Sequence, residues 1–285
     1  MQRLEGQVAL ITGGARGQGR AIALKFASEG AQIVTCDICR DIDSLAYSLS
    51  TEADLQETVE LVENLDQRCH AAVADVRDQA ALDRVVEEGI AEFGKIDIMV
   101  ANAGIGDYKP FWELTDKEWS DQIDVNLTGA WHSAKAVARH MKDRMSGCMV
   151  FTSSVNGIEG NVNYAHYIAA KHGVLGLMKC VALELGPYGV RANAVLPGPI
   201  DTKINDNPPG RDRIVGHSGA TREEYLASVR HWHALRGRTA LPPEAIADAM
   251  IWLVSAEARH VTGVELIIDA GHNILPGYNL NPVQD

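Results

Sequence analysis

No stretch of this chain is both long enough and free enough of charge to cross a membrane. Cationic excess is missing too. Lysine and arginine total 26 against 38 acidic residues, a formal net charge of −12, which argues against nucleic acid or an anionic membrane as a partner. Cysteine is scarce and unpatterned. Cys36, Cys39, Cys69, Cys148 and Cys180 form an odd set, which fits reduced, mostly buried thiols rather than a disulfide framework. Cys36 and Cys39 make a Cys-x-x-Cys, but no second pair stands at zinc spacing and the motif ends a strand-like run, so no metal is expected. The segment Met1–Gly6 leads straight into a strand-like run without a secretory apolar region, and a cytoplasmic location is the expectation. Linkers, repeats and low-complexity tracts are lacking as well, so residues 1–285 are expected to form a single domain.

What the chain does have is alternation. Strand-like runs at Val8–Thr12, Gln32–Asp37, His70–Ala74, Ile96–Ala101, Cys148–Ser153, Arg191–Leu196 and Glu265–Asp269 are separated by helical patterns near 18–29, 52–67, 78–93, 115–143, 164–187 and 243–256. This order predicts an α/β fold: a Rossmann-type, doubly wound parallel sheet of about seven strands with helices on both faces. Two segments break the rhythm. Residues 38–51 make a long connection after the second strand, and residues 198–240, rich in proline and glycine with a short helix near 222–236, follow the sixth. Long irregular segments in compact domains are usually functional, and the second leaves the strand end at which ligands bind such sheets. It is therefore read as a substrate lid.

The chemistry concentrates in a few places. Gly13, Gly17 and Gly19, with Arg16 and Gln18 among them, follow the first strand and open a helix. Glycines there let a pyrophosphate approach the backbone, and the helix N-terminus offers it N–H groups. Asp37 ends the second strand, where a carboxylate accepts hydrogen bonds from ribose hydroxyls and repels a 2′-phosphate; it favours NAD over NADP. Arg16 is a contrary hint, since a cation beside this turn can meet that phosphate. Asp75-Val76 and Asn102-Ala103-Gly104 end the third and fourth strands at the same edge of the sheet. Tyr167 and Lys171 are four residues apart on a predicted helix, hence one turn apart on one face. A phenol beside a fixed cation ionises more easily than one in water. Ser154 lies thirteen residues upstream of Tyr167. Asn126 sits mid-helix, a poor place for asparagine on propensity alone.

These motifs in this order resemble the short-chain dehydrogenase/reductase family, from about residue 5 to 272. The resemblance rests on Thr12–Gly19, Asp75-Val76, Asn102-Ala103-Gly104, Asn126, Ser153-Ser154, Tyr167 with Lys171, and Pro197-Gly198 with Thr202. It implies Tyr167 as general acid/base, Lys171 on the nicotinamide ribose, Ser154 on the substrate oxygen and Asn126 holding a water. It also implies cofactor contacts from Pro197, Gly198, Ile200 and Thr202, the last meeting the carboxamide. The Ala15–Gly19 turn, the segment after Asp37 and Asn163–Tyr167 further resemble the mycofactocin-associated subgroup, to which actinobacterial carveol dehydrogenases belong. That implies tightly held NAD reoxidised by the peptide-derived carrier mycofactocin, with 38–51 covering the adenosine end.

The expected substrate is a neutral hydrophobic alcohol or ketone, cyclic or terpenoid, between Ile105–Phe111, Val155–Tyr164 and a lid carrying Ile204 and Trp232. Two alternatives stay open: an NADPH-dependent ketoreductase of acyl substrates, and a non-catalytic dinucleotide sensor. Tyr164 is read as a pocket wall. His166 and His172 are read as packing or solvent-facing, and His231 and His233 as no metal site. The resemblance implies a homotetramer built on helices 115–143 and 164–187. Gly173 and Gly176 are expected to allow close approach, and the tail Gly271–Asp285 to pack on a neighbour.

Overall fold

The computed structural model describes residues 2–275, within which seven parallel strands form one sheet in the order β3-β2-β1-β4-β5-β6-β7. The strands are β1 Val8–Thr12, β2 Gln32–Asp37, β3 Cys69–Val73, β4 Ile98–Ala101, β5 Gly147–Thr152, β6 Val190–Pro197 and β7 Glu265–Ile268. Their bounds agree with the sequence reading to a residue or two. The central strands are apolar runs buried on both faces, as parallel strands covered by helices must be. Period-2 alternation sends Leu10 to one layer and Ile11 to the other. The first layer packs under α3 (Gln79–Phe93), α5 (Gly129–Asp143) and α6 (Ala165–Leu185); the second under α1 (Gly17–Ser28) and α9 (Glu244–Val254). The sheet order reverses between β1 and β4, which opens a crevice beyond their carboxyl ends.

The helices differ from expectation in three places. α2 (Glu52–Glu63) stops before the predicted 67, as the chain turns through Asp66 at φ 59°. The single helix expected over 115–143 is α4 (Asp116–Ile123) and α5 joined by a π-helical turn, Asp124–Thr128, that contains Asn126. Segment 198–240 carries two short helices, α7 (Pro208–Val215) and α8 (Arg222–Val229). α7 had a readable signal: Asn207 caps Gly210 N at 2.9 Å, Pro208 takes the first turn and Gly216 closes the helix at φ 92°.

Gly173 has a purpose within the chain. A Cβ there would stand 2.8 Å from Leu127 Cδ2, so the missing side chain lets α6 close on the π turn; Gly176 faces open space. The tail expected to pack on a neighbour falls largely on 276–285, outside the described residues. Among the described residues no helix is long and apolar enough to cross a membrane.

Candidate active site

A cleft of about 1030 Å³ runs along the carboxyl edge of the sheet. All the candidate cofactor and catalytic positions line it: Gly13, Arg16, Gly17, Gln18, Gly19, Asp37, Asp75, Val76, Asn102, Ala103, Gly104, Asn126, Ser154, Tyr167, Lys171, Pro197, Gly198, Ile200 and Thr202.

One end is built on regular elements. β5 ends at Thr152, and the chain turns through Ser153 and Ser154 into a short 3-10 turn. The Ser153 hydroxyl donates to Lys171 O at 2.9 Å, tying the strand end to α6. Ser154 Oγ accepts from Asn156 N at 3.1 Å. Lys171 Nζ donates to Thr152 O at 2.9 Å and lies 5.4 Å from the centroid of the Tyr167 ring. Ser153, Ser154, Tyr167 and Lys171 are all buried. Burial drives the Lys171 ammonium down to about 8. It pushes the Tyr167 phenol well up, opposed by a hydrogen bond with Ser154. Loss of hydration is the largest influence on both groups.

Asn126 is also buried, and its amide is fully engaged. Nδ2 donates to Ile105 O at 2.9 Å and Gln122 O at 3.0 Å, while Oδ1 accepts from Ile105 N at 3.2 Å. Through these bonds the side chain fixes the chain after β4. Asn102 does similar work, with Nδ2 donating to Thr12 O at 3.1 Å.

The other end is held by a strap. Segment 38–51 leaves β2, buries Ile42 in the core and crosses the cleft. Arg16, the hint of NADP binding, is spent on it: its guanidinium donates to Ser48 O at 2.8 Å and Leu49 O at 3.1 Å. Asp37 accepts from Ala15 N at 3.0 Å and from the Ser50 hydroxyl. Tyr47 reaches the loop after β4, where its hydroxyl accepts from Gly106 N at 3.2 Å. Burial works to raise the Asp75 carboxyl, but hydrogen bonds from Arg77 and Arg40 outweigh it and hold the group below the usual carboxylate range.

Three observations fit a dinucleotide. The N-terminus of α1 carries no side-chain cap, in contrast to the capping boxes of α2 and α8, so its N–H groups are free for a phosphate. Gly13 at φ 71° lies so close to the next crossover that a Cβ would stand 2.7 Å from Ala103 Cα. Gln18 Oε1 and Thr202 Oγ1 are buried cleft atoms without a hydrogen-bond partner.

The substrate end holds a stack of tyrosines. Tyr164 lies on Tyr167 with centroids 4.2 Å apart and planes at 8°, and Tyr108 follows at 4.3 Å from Tyr164. Tyr164 is therefore a wall, as expected, with Ile105, Val155, Ile204 and Trp232. Phe111 is not: it is 68% exposed and outside the cleft. The sequence reading missed Tyr47, Arg213, Tyr225 and the Glu159–His272 pair. Here His272 Nε2 meets Glu159 Oε1 at 3.2 Å and Nδ1 meets Trp232 O at 3.0 Å. Glu159 raises the His272 imidazole above its ordinary value, against the effect of burial. His166 is buried and accepts from Tyr167 N at 3.0 Å, a packing role; His172 is exposed. Among the described residues no cluster of His, Cys, Asp or Glu has the geometry of a metal site.

With this geometry in hand, comparison with known proteins is informative. A family model described as enoyl-(acyl carrier protein) reductase matches residues 13–273. A (−)-trans-carveol dehydrogenase of Rhodococcus erythropolis is 41% identical over 276 residues, covering 95% of this chain and 99% of the relative. The crystal structure of carveol dehydrogenase from Mycobacterium avium in complex with NAD superposes with a TM-score of 0.93 at 42% identity, over 96% of this chain and 100% of that one. A short chain dehydrogenase from Mycobacterium paratuberculosis bound to NAD gives 0.86 at 37% identity, over 95% and 99%.

Proposed function

The chain belongs to the short-chain dehydrogenase/reductase family and is an NAD-dependent oxidoreductase; from that premise we propose that it interconverts a hydrophobic cyclic secondary alcohol and its ketone, with Tyr167 as acid/base. The observation that carries this reading is the convergence of Ser154, Tyr167 and Lys171 at one end of a cleft whose other end carries the glycine turn and Asp37. Gly13, Gly17, Gly19, Gln18, Asp37 and Thr202 would hold NAD, which supplies the two-electron hydride acceptor when bound. Asp37 and the engagement of Arg16 with the strap favour NAD over NADP.

In this mechanism Ser154 donates a hydrogen bond to the substrate oxygen as negative charge develops there. Tyr167 takes the alcohol's proton in oxidation and returns it in reduction. Lys171, fixed by Thr152 O, favours the phenolate against the burial that opposes it. Tyr164, Tyr108, Ile204 and Trp232 give the alcohol an apolar, aromatic seat, with segment 198–240 as its lid. A terpenoid alcohol of the carveol type suits such walls.

The strap supports the finer reading that NAD is retained and reoxidised in place by mycofactocin. It is tied to Asp37, Arg16 and Gly106, so cofactor exchange requires several hydrogen bonds to open. A homotetramer through α4, α5 and α6 is supported by exposed Trp119, Trp131 and Leu183. The cytoplasm, where five free thiols remain reduced, is the proposed location. The test is to purify the protein, read its spectrum for retained cofactor, and supply secondary alcohols with free NAD⁺ or an artificial electron acceptor. Bound cofactor with turnover on the acceptor alone is the expected result; ready exchange with free NAD⁺ would contradict retention, and oxidation of no alcohol would contradict the dehydrogenase itself.

A further inference from the structure

The substrate end of the cleft contains two hydrogen-bond donors that the chemistry above does not use. Tyr225, on α8, is fully buried, lines the cleft, and its hydroxyl has no partner. Arg213, on α7, also lines the cleft; its Nε is buried and unpartnered. The rest of that guanidinium is held firmly. Nη2 donates to Asn161 Oδ1 at 2.9 Å and Val162 O at 3.1 Å, and the guanidinium carbon lies 4.0 Å from the Tyr108 centroid. The same carbon lies 5.7 Å from the centroid of Tyr164, the ring that stacks on Tyr167.

Buried donors without acceptors are rare, and those that persist in a binding cleft mark where a ligand supplies the acceptor. Simple apolar alcohols would leave both unmet. We infer that Arg213 and Tyr225 form a second polar anchor, which selects cyclic alcohols carrying another neutral oxygen acceptor, a keto or hydroxyl group, remote from the reacting hydroxyl. The inference rests on the dehydrogenase reading and narrows its substrate class from hydrocarbon alcohols to dioxygenated rings. A neutral oxygen fits better than a carboxylate. The Arg213 charge already rests on Tyr108 and two oxygens, and Glu159 contributes a negative charge to the same cleft.

The experiment compares cyclohexanol, 4-hydroxycyclohexanone and 4-hydroxycyclohexanecarboxylate as substrates, following reduction of bound nicotinamide, and measures binding of cyclohexanone and cyclohexane-1,4-dione by calorimetry. The hydroxyketone should exceed cyclohexanol in kcat/KM by about tenfold, mainly through KM, as a site built to hydrogen-bond an oxygen discriminates against its absence. The dione should bind more tightly than cyclohexanone by a similar factor. Tyr225→Phe, which removes one oxygen from a side chain of the same shape, and Arg213→Met should each bring both ratios towards one. Equal turnover of cyclohexanol and the hydroxyketone, or ratios unchanged in both variants, would overturn the anchor while leaving the dehydrogenase standing. Preference for the carboxylate would overturn the neutral-oxygen assignment, and oxidation of none would overturn the dehydrogenase reading and the anchor with it.

Discussion

At the Tyr167 end of the cleft, the reactive side chains stand just beyond β5 or early in α6, with Lys171 held by the Thr152 carbonyl and Ser154 by the Asn156 N–H. At the Asp37 end, the groups that close the cleft come from segment 38–51, an irregular connection held by hydrogen bonds donated by Arg16 and Ser50 and one accepted by Tyr47. The first arrangement is rigid because moving Lys171 or Ser154 means moving β5 or α6. The second opens by releasing a few contacts, each worth about 0.5–1.5 kcal/mol. On the proposed reading, chemistry that needs atoms fixed to fractions of an ångström is placed on the scaffold, and retention of the cofactor on the strap.

This contrast breaks if the two ends do not respond separately. Lys171→Met should lower the rate of alcohol oxidation by about 10³-fold in single-turnover absorbance measurements, while the glycine turn and the strap keep NAD bound despite the lost ribose contact. Loss of NAD from this variant would show that the two ends are one unit. Arg16→Ala releases two backbone carbonyls of the strap; it should speed NAD dissociation about tenfold, read by displacement with a labelled dinucleotide, and leave the single-turnover rate near that of the unaltered protein. A loss of chemistry as large as that of Lys171→Met would erase the distinction.

The smallest effect belongs to the contact between the C-terminal segment and the substrate end. Glu159 raises the folded-state pKa of His272, so its stabilising contribution is fully present below about 6.5 and lost as pH rises through the raised value. The melting temperature of the unaltered protein should therefore exceed that of His272→Asn by about a degree or two near pH 6, and the gap should shrink at alkaline pH. A gap that widens with pH would refute the pairing.

The same contrast governs what could be read before the structure. The sheet, its order of elements and the Tyr167–Lys171 pair were legible because they depend on periodicity and fixed offsets. Ser154 and the glycine turn were legible from their positions at predicted strand ends. The strap was recognised as an interruption and, through the resemblance, as a cover for the adenosine end, but nothing near Tyr47 in sequence indicates that its hydroxyl reaches Gly106, 59 residues away. Arg16 was read as a free cation for the same reason, since its partners at 48 and 49 are set by how the loop folds back. Arg213 and Tyr225 fall in a segment read as one short helix within a lid, although Asn207-Pro208 and Gly216 marked the limits of another. The π turn at Asn126 had a weaker signal in an asparagine placed mid-helix. Burial was the least legible feature. The Lys171 offset was visible, but the desolvation that brings it to about 8 depends on everything packed around it.

The central claim is that the Tyr167 phenol, framed by Ser154 and Lys171, is the group that exchanges a proton with the substrate oxygen. The direct measurement is single-turnover reduction of bound nicotinamide at 340 nm by a cyclic secondary alcohol, in the unaltered protein and in Tyr167→Phe. The account predicts that the variant retains NAD and binds the alcohol but reduces the cofactor about 10³-fold or more slowly; reduction at the unaltered rate would contradict it.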